Sequence, residues 1–527
     1  MANYATVSQA DPDVGGGSPT PRMRRPRRKI KDGNFTGTAS FSSSVINLVN
    51  TIVGAGVLAM PRAMSQMGML LGTIFIVWSG ITAGFGLYLQ TKCAMYLERG
   101  HSSFFALSQL TYPNLAIIFD AAIAVKCFGV GVSYLIIIGD LMPGVVLGFN
   151  AAAGDVGYLV DRHFWITGFM LVVIPLSFLR RLDSLKYTSI IALVAIGYLI
   201  ILVLAHFIKG DTIPDRGEVN FVRWAGPLNT LASLPVIVFA YTCHQNMFSI
   251  LNEIKNNSHF RTTGVVIASI GTACSVYVLV AITGYLSYGN NVQGNIVSMY
   301  PPTIASTIGR AAIVVLVMFS YPLQVHPCRA SVDAVLKWRP ASRRTPPPPP
   351  SSAPSTTRSG SPSRAPDSSQ HPGKGEMSDT RFAALTGAII IASYLVAMIV
   401  SSLETVLAYV GSTGSTSISF ILPGLFYYKI SSPDSPAHQK LMKDNDWDED
   451  DDYYSDHDDE DADAEGNPLL TSSIASLRSL QRGTNRVLRR FKPRDLLRKL
   501  SLTLAIYGVV VMVVCLGTNA FLHSTKH

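Results

Sequence analysis

The amino-acid sequence predicts an all-α membrane protein with about eleven transmembrane helices. Of its 527 residues, 48% are hydrophobic and only 15% are charged, which is less charge than a soluble protein of this length usually carries. The apolar residues gather in stretches of roughly 20, the length at which a helix crosses the hydrocarbon core. A polar tail rich in Pro, Gly and Arg precedes the first stretch, so we expect no cleaved secretory signal.

The apolar stretches are the predicted spans, because a helix satisfies its backbone hydrogen bonds internally, as the hydrocarbon core demands. The tenth is weakly hydrophobic around Gly411 to Ser417, and its small polar residues suit a helix packed inside the bundle. The predicted spans are 42–62, 69–90, 116–142, 163–180, 187–208, 227–250, 262–286, 305–326, 381–402, 404–428 and 500–522.

Three polar regions divide the chain outside these spans. The N-terminal tail is rich in Gly, Pro, Ser and Arg, and one linker holds the run Pro346 to Pro350. A second linker is acidic and then basic, and its basic part either lies on an anionic membrane surface or is a solvated linker. The predicted organisation is a disordered tail at 1–40, spans one to eight at 41–337, a linker at 338–380, spans nine and ten at 381–430, a linker at 431–499, and span eleven with a short luminal tail at 500–527.

The placement of Lys and Arg predicts the topology. The net charge is +9, and we attribute it to basic segments beside spans rather than to nucleic-acid binding. With the N-terminus in the cytoplasm, the inside loops receive Arg180, Arg181 and Lys186 together with both long linkers. The outside loops receive few positive charges, such as Arg162 and Arg216, which agrees with the positive-inside rule.

The first span contains a pattern typical of an interrupted helix. Gly54-Ala55-Gly56 weakens the helix in mid-span, and Asn47 and Asn50 are costly in lipid, so they should face the bundle interior. The N–H groups at the start of a second half-helix suit a carboxylate, and the carbonyls at the end of the first half suit a cation or an ammonium group. The alternative is a glycine contact between two packed helices.

The sixth span is a second candidate for an interrupted helix. Pro235 is followed by the polar cluster Tyr241 to Asn246. Spans one and six are five helices apart, and broken helices in corresponding positions of two halves indicate a transporter with an inverted repeat of five plus five. His244 is either a proton carrier or substrate contact, or a satisfied histidine near the membrane edge.

Three further polar residues in the spans have an expected role. In span three, Lys126 either pairs with an acid such as Asp120 or extends its amine to the interface. Ser320 in span eight either completes an ion site with first-helix carbonyls or bonds to its own helix backbone. Glu404 is expected to begin the tenth span.

The sequence resembles the amino acid/auxin permease family, and most closely its sodium-coupled neutral transporters and fungal vacuolar amino acid transporters. The resemblance covers nearly all spans but neither the tails nor the long linkers. It implies a LeuT-like fold of two inverted five-helix repeats plus an eleventh helix. The residues that carry it are Asn47 to Met60, Cys243-His244, Gly284 to Gly289 and Ser320 to Arg329.

The resemblance also implies site residues. Asn50 and Ser320 match the ion-coupling positions of some members, which makes them the candidates for a sodium site and for no other metal. We expect Tyr241, Thr242 and His244 of span six to complete the substrate site. The substrate contacts at the first-helix break map onto Thr51, Gly54, Ala55 and Gly56.

The long linkers depart from the plasma-membrane transporters and favour the vacuolar branch, in which protons are the expected coupling ion. Glu465, Leu469 and Leu470 have the form of an acidic dileucine signal that a sorting adaptor reads on proteins bound for vacuoles or lysosomes. We therefore predict a multi-pass vacuolar or lysosomal transporter that exports amino acids to the cytosol by proton symport and alternating access.

The alternatives are an amino-acid sensor that signals through its cytoplasmic tails and a sodium-coupled importer at the plasma membrane. We expect a monomer embedded in the lipid bilayer that binds an amino acid, uses no cofactor and binds no nucleic acid. No nucleophile–base pair or metal-ligand spacing in the sequence suggests an enzyme.

Overall fold

The structure is a computed structural model that describes residues 37–179, 188–255, 257–337, 377–444 and 493–525. The chain divides into two units, Met1–Phe35 and Thr36–His527, and every described residue belongs to the second. The predicted tail at 1–40, the linker at 338–380 and the linker at 431–499 lie largely outside the described residues, so their predicted boundaries remain predictions.

The described residues are almost entirely helical. Side-chain caps start several helices: the Ser40 hydroxyl accepts a hydrogen bond from the Ser43 N–H at 3.2 Å, and Ser402 accepts one from Thr405 at 3.2 Å. The helices are α1 (Phe41–Ile52), α2 (Gly56–Met67), α3 (Met69–Ala94), α4 (Phe104–Thr111), α5 (Ala116–Phe149), α6 (Arg162–Ser177), α7 (Thr188–Lys209), α8 (Pro227–Ala240), α9 (His244–Glu253), α10 (His259–Tyr288), α11 (Ile296–Met299), α12 (Ile304–Lys337), α13 (Asp379–Ile399), α14 (Leu403–Val410), α15 (Leu422–Ile430), α16 (Pro436–Asp444) and α17 (Pro493–Ser524).

Each predicted span coincides with one of these helices or with a broken helix. Nine helical segments among the described residues are long and apolar enough to cross a membrane, and the bent pair α1 and α2 would be a tenth. The remaining predicted span, 163–180, is the shorter apolar helix Arg162–Ser177. The predicted all-α membrane architecture is therefore confirmed, whereas the count of eleven stays a prediction.

The tenth predicted span is a helix packed inside the bundle, as its small residues indicated. Two π-helical segments, Gly411–Ser415 and Ser417–Ile421, separate α14 from α15. A Cβ atom at Gly411 would collide with the carbonyl oxygen of Pro235 in α8. Because glycine has no side chain, α8 approaches the backbone of this span closely.

The outer surface of the bundle is apolar. Large hydrophobic side chains remain well exposed along it, for example Leu171 at 78%, Val194 at 68% and Ile506 at 56%. Exposed apolar surface of this extent is unfavourable in water and favourable against lipid chains. The polar groups discussed next lie inside this apolar surface, where burial makes unpaired groups costly.

Candidate functional site

The first predicted span is interrupted, as the Gly54-Ala55-Gly56 pattern predicted. The axes of α1 and α2 differ by 56° across the residues between Ile52 and Gly56. A Cβ atom added at Gly54 would meet nothing within 4 Å, so this residue borders open space. The break therefore exposes backbone at a point inside the bundle.

Free backbone donors lie at this break. The N–H groups of Gly54 and Ala55 have no hydrogen-bond acceptor among the described residues. The N–H groups of Val57 and Leu58 reach back only to the carbonyls of Gly54 and Ala55, at 3.2 and 3.3 Å. These unpaired donors stand at the N-terminal end of α2, where the helix dipole favours a negative charge.

The sixth predicted span is also interrupted, which confirms the second expected broken helix. α8 ends at Ala240 and α9 begins at His244. The two breaks lie against each other, because a Cβ atom at Gly56 would stand 2.6 Å from the Cβ of Ala240. Only glycine fits at this contact, so Gly56 both starts α2 and brings it against the end of α8.

Tyr277 of α10 joins the two breaks. Its hydroxyl lies 2.7 Å from the carbonyl oxygen of Ile52 and 2.8 Å from that of Ala240, and its side chain is fully buried. A hydroxyl has one proton, so it donates to one of these carbonyls at a time. Sequence analysis missed this residue, although a tyrosine within an apolar span needs a hydrogen-bond partner and is itself a signal.

Tyr241 and Thr242 lie in the second break and are enclosed by other helices. The ring of Tyr241 packs edge-on against Tyr277 with centroids 5.0 Å apart, and its hydroxyl lies beside Gly80 of α3. The Thr242 hydroxyl donates to the Val238 carbonyl at 2.9 Å. Both side chains therefore shape the wall around the break through packing.

His244 is fully buried at the start of α9. Its Nε2 lies 3.1 Å from the Ala83 carbonyl of α3, which makes Nε2 the protonated nitrogen of the neutral ring. Its Nδ1 has no hydrogen-bond partner among the described residues. The expected satisfied histidine is thus only half satisfied, and a buried acceptor remains open beside the break.

Polar side chains of α1 connect it to α9. The Thr51 hydroxyl donates to the Asn47 carbonyl at 2.9 Å and accepts from the Asn246 amide at 3.3 Å. The Oδ1 atom of Asn50 is buried without a hydrogen-bond partner among the described residues. An unpaired carbonyl oxygen of this kind is a suitable ligand for a cation.

Ser320 forms a hydrogen bond within its own helix, which was the alternative to an ion-binding role. Its hydroxyl donates to the Leu316 carbonyl of its own helix at 2.8 Å. The hydrogen bonds of the described ranges do not join Ser320 to Asn50. The ion site assigned to this pair therefore remains a prediction.

A small cavity of about 20 Å³ borders the first break. α7 and α12 form its other walls, and one of its wall residues, Leu316, is the residue to which Ser320 bonds. Its side chains are apolar, so the backbone at the break supplies the polar groups. The lining residues are Gly54, Ala55, Val57, Leu58, Ile196, Leu199, Ile313, Leu316 and Val317.

An ion pair joins α2 to α14. The Nε of Arg62 lies 3.3 Å from the carboxylate of Glu404, and the same guanidinium donates to the Val292 carbonyl at 3.2 Å. Glu404 begins the tenth span as expected, and it also holds α2, the second half of the first broken helix. Sequence analysis did not anticipate Arg62, because nothing in the local pattern indicates a partner 342 positions away.

The expected pairing of Lys126 with Asp120 is wrong. Lys126 is buried at 4% exposure and has neither an ion pair nor a hydrogen-bond acceptor for its amine among the described residues. Its burial also excludes the alternative of an amine extended to the interface. The sorting motif of Glu465, Leu469 and Leu470 lies outside the described residues.

The relatives of this chain are transporters. A family model described as "Transmembrane amino acid transporter protein" matches residues 37–447. Vacuolar amino acid transporter 5 of Schizosaccharomyces pombe is 45% identical over 412 residues, which cover 77% of this chain and 89% of that protein. Vacuolar amino acid transporter 6 of Saccharomyces cerevisiae is 42% identical, with 74% and 90% covered. Sodium-coupled neutral amino acid symporter 2 of Danio rerio is 23% identical, with 78% and 79% covered.

Solved structures share the fold. MhsT in complex with L-phenylalanine superposes with a TM-score of 0.55 at 10% identity, covering 92% of this chain and 100% of that chain. The inward-facing conformation of Mhp1 superposes with a TM-score of 0.51 at 9% identity, covering 93% and 92%. Both have the LeuT fold, which confirms the LeuT-like fold predicted for this chain.

Family membership decides between the broad classes of function. The match spans most of the chain and includes both breaks, so it covers the region in which the candidate site lies. The relatives are transporters and not enzymes. The protein is therefore a multi-pass membrane protein of the transmembrane amino acid transporter family, as its resemblance to the amino acid/auxin permeases indicated.

Proposed function

We propose that this protein is a secondary active transporter of the vacuolar or lysosomal membrane that exports amino acids to the cytosol together with protons. The observation that carries the proposal is the meeting of two broken helices at Gly56 and Ala240, with free donors at Gly54 and Ala55. An amino acid has one carboxylate and one ammonium group. This arrangement offers partners of opposite polarity for both groups at one place.

In this proposal, the substrate carboxylate binds the N–H groups at the first break. Gly54 borders open space, so a ligand reaches these donors without displacing a side chain. The ammonium group binds the carbonyls of Ile52 and Ala240 in place of the Tyr277 hydroxyl. The substrate side chain points towards the apolar residues of the small cavity, which widens to admit it, and Tyr241, Thr242 and His244 set the shape of the opposite wall.

Two kinds of observation support proton coupling and a vacuolar localisation. The relatives that share 45% and 42% identity are named vacuolar amino acid transporters. The long linkers depart from the sodium-coupled branch, and the positive charges predict a cytoplasmic N-terminus. An acidic lumen then drives protons and substrate towards the cytosol. The alternative coupling ion is sodium, which would bind at Asn50 and Ser320.

One observation favours a second candidate function, an amino-acid sensor. The segment before α1 pairs with the chain after α9: the Ala39 N–H donates to the Glu253 carbonyl at 2.9 Å, and the Lys255 N–H donates to the Ala39 carbonyl at 2.9 Å. The end of the N-terminal tail, directly before α1, is thus tied to a broken helix of the site. A ligand that moved α9 would also move this tail.

The test is a flux assay with purified protein in lipid vesicles. Uptake of each of the twenty amino acids is measured at two pH values, with and without sodium. We expect gradient-driven uptake of at least one amino acid that needs a proton gradient and no sodium. Uptake that requires sodium would contradict proton coupling, and absence of gradient-driven uptake for all amino acids would contradict transport.

A matched pair of variants connects the flux to the site. Gly56→Val places a side chain where a Cβ atom already stands 2.6 Å from Ala240, so transport should be lost. Gly168→Val makes the same change in α6, where a Cβ atom meets nothing within 4 Å, and transport should persist. Removal of residues 1–36 distinguishes a transporter from a sensor. A transporter should keep its flux without this tail, whereas a sensor should lose the binding of its partner.

A further inference from the structure

Lys126 is a buried basic group that the proposed binding site does not use. It lies ten residues into α5, about 15 Å along a helix that begins at Ala116. Its side chain is 4% exposed, and no carboxylate or hydrogen-bond acceptor contacts its amine among the described residues. A lysine at this depth without a partner is rare in membrane proteins and marks a functional group.

The ionisable groups around Lys126 are thiols and one imidazole. Those close enough to interact electrostatically with its amine are Cys127 on the same helix and Cys243 and His244 at the second break. From α12, the Cys328 thiol donates to the Ala124 carbonyl at 3.5 Å. No group of this set is a carboxylate, so none compensates an ammonium charge.

Asp120 of α5 and His326 of α12 make no ion pair among the described residues, and the other charges on the neighbouring helices are engaged elsewhere. Arg329 of α12 donates to the Thr386 hydroxyl at 2.9 Å, and Glu404 of α14 is paired with Arg62. On α5 itself, Asp140 lies 3.8 Å from Arg162. The charge state of Lys126 therefore depends on access to water rather than on an ion pair.

Lys126 is packed between the tenth span, α12 and the break before α9. A Cβ atom at Gly414 would stand 2.8 Å from the Lys126 backbone nitrogen and 2.9 Å from its Cβ, so the π-helical segment Gly411–Ser415 lies directly on α5. Its other neighbours are Cys328 of α12 and the residues Cys243 and His244 at the break before α9. α9 starts at the candidate substrate site, so a movement of α9 on substrate binding would change the surroundings of the amine.

We propose that Lys126 carries the coupling proton of the transport cycle. This rests on the proposed function, in which protons drive transport. The neutral amine fits the closed arrangement around the break, and the ammonium form is stable when the arrangement is open to water. The amine accepts a proton from water on the luminal side and returns it to water on the cytosolic side, without a bond to the substrate.

His244 is the competing proton carrier. Its Nδ1 is an unpaired acceptor in the same region, whereas its Nε2–H is fixed to the Ala83 carbonyl. Two positive charges in so dry a region repel each other, so the pair holds one proton at a time. The longer, unpaired side chain of Lys126 reaches water with less rearrangement than an imidazole that is bonded to α3.

The test compares two transport modes in lipid vesicles. Exchange of internal for external amino acid at equal pH needs no net proton movement, whereas accumulation against a gradient does. Lys126→Gln should keep exchange and lose accumulation driven by a pH difference, so internal and external concentrations become equal. Lys255→Gln removes an exposed lysine and should keep both modes. Lys126→Met fills the same space without a polar group and serves if the glutamine variant does not fold.

The outcomes separate this inference from the function on which it rests. If the wild type and Lys126→Gln both accumulate substrate, proton coupling stands and the role of Lys126 is overturned. If only His244→Gln loses accumulation, His244 is the carrier and the inference fails. If a folded Lys126 variant loses exchange as well, the amine acts in substrate binding and its role as proton carrier is overturned. If the wild type does not accumulate substrate, both proposals fail.

A measurement on the wild type covers the case in which no Lys126 variant folds. An amine-acylating reagent followed by peptide mass spectrometry reports how often Lys126 meets water. We expect faster acylation of Lys126 in the presence of a transported amino acid than in its absence. Equal acylation under both conditions would overturn the proposed exposure.

Discussion

Tyr277→Phe removes the hydroxyl that joins the two breaks and leaves the ring in place. In the wild type this hydroxyl lies 2.7 and 2.8 Å from the carbonyls of Ile52 and Ala240. A substrate ammonium that binds these carbonyls must first displace it. The variant should therefore bind the transported amino acid more tightly, because the competing donor is absent.

The expected change in affinity follows from the free energy of one hydrogen bond. The hydroxyl donates one proton, and a hydrogen bond of this kind contributes about 1 kcal/mol net. Removal of the competitor therefore lowers the dissociation constant roughly fivefold, since 1.4 kcal/mol corresponds to a factor of ten. The carbonyls lose their partner in the ligand-free protein, so the variant should also be less stable without substrate.

Equilibrium binding of radiolabelled amino acid to purified protein measures this effect. Tyr198→Phe is the matched control, because Tyr198 also donates to a backbone carbonyl, that of Ala305 at 2.9 Å, which belongs to neither break. Its affinity should equal that of the wild type. Affinity of Tyr277→Phe that is unchanged or weaker would refute the assignment of these carbonyls to the ammonium group.

Three further predictions concern other parts of the chain. The Arg62–Glu404 pair is about one-third exposed, at 31% and 29%, so we expect it to contribute about 0.2–1 kcal/mol; single charge reversals should slow transport in vesicles, and the double reversal should restore it. Ala39→Pro removes the N–H that bonds to Glu253, and hydrogen exchange of the first turn of α1 should increase, while unchanged exchange would contradict the pairing. Alanine at 469–470 should move a fluorescently tagged protein from the vacuolar membrane to the plasma membrane; an unchanged location would exclude the motif.

Local signals in the sequence predicted both breaks. Gly54 and Gly56 weaken a helix wherever they occur, and Pro235 with the polar residues after it does the same in the sixth span. Length and hydrophobicity predicted the helices, because a span must satisfy its own backbone bonds in lipid. These properties belong to short stretches of chain, so they can be read without knowing the neighbours.

Contacts between distant stretches could not be predicted in this way. Tyr277 reaches two carbonyls in other helices, and Arg62 meets a carboxylate 342 positions away. One expectation paired Lys126 with an acid on its own helix, but its environment is set by α12, the break before α9 and the π-helical segment. Ser320 shows the opposite case, in which a local bond to Leu316 satisfies a residue to which a long-range role was assigned.

The central claim is that amino acid and proton leave the acidic side together, and proton movement tests it most directly. Vesicles with an acidic interior are loaded with a transported amino acid and a pH-sensitive dye. The account predicts that the interior loses its acidity faster with the amino acid inside than without it, and that Gly56→Val abolishes the difference. Equal rates with and without the amino acid, under conditions in which the labelled amino acid leaves the vesicles, would contradict the account.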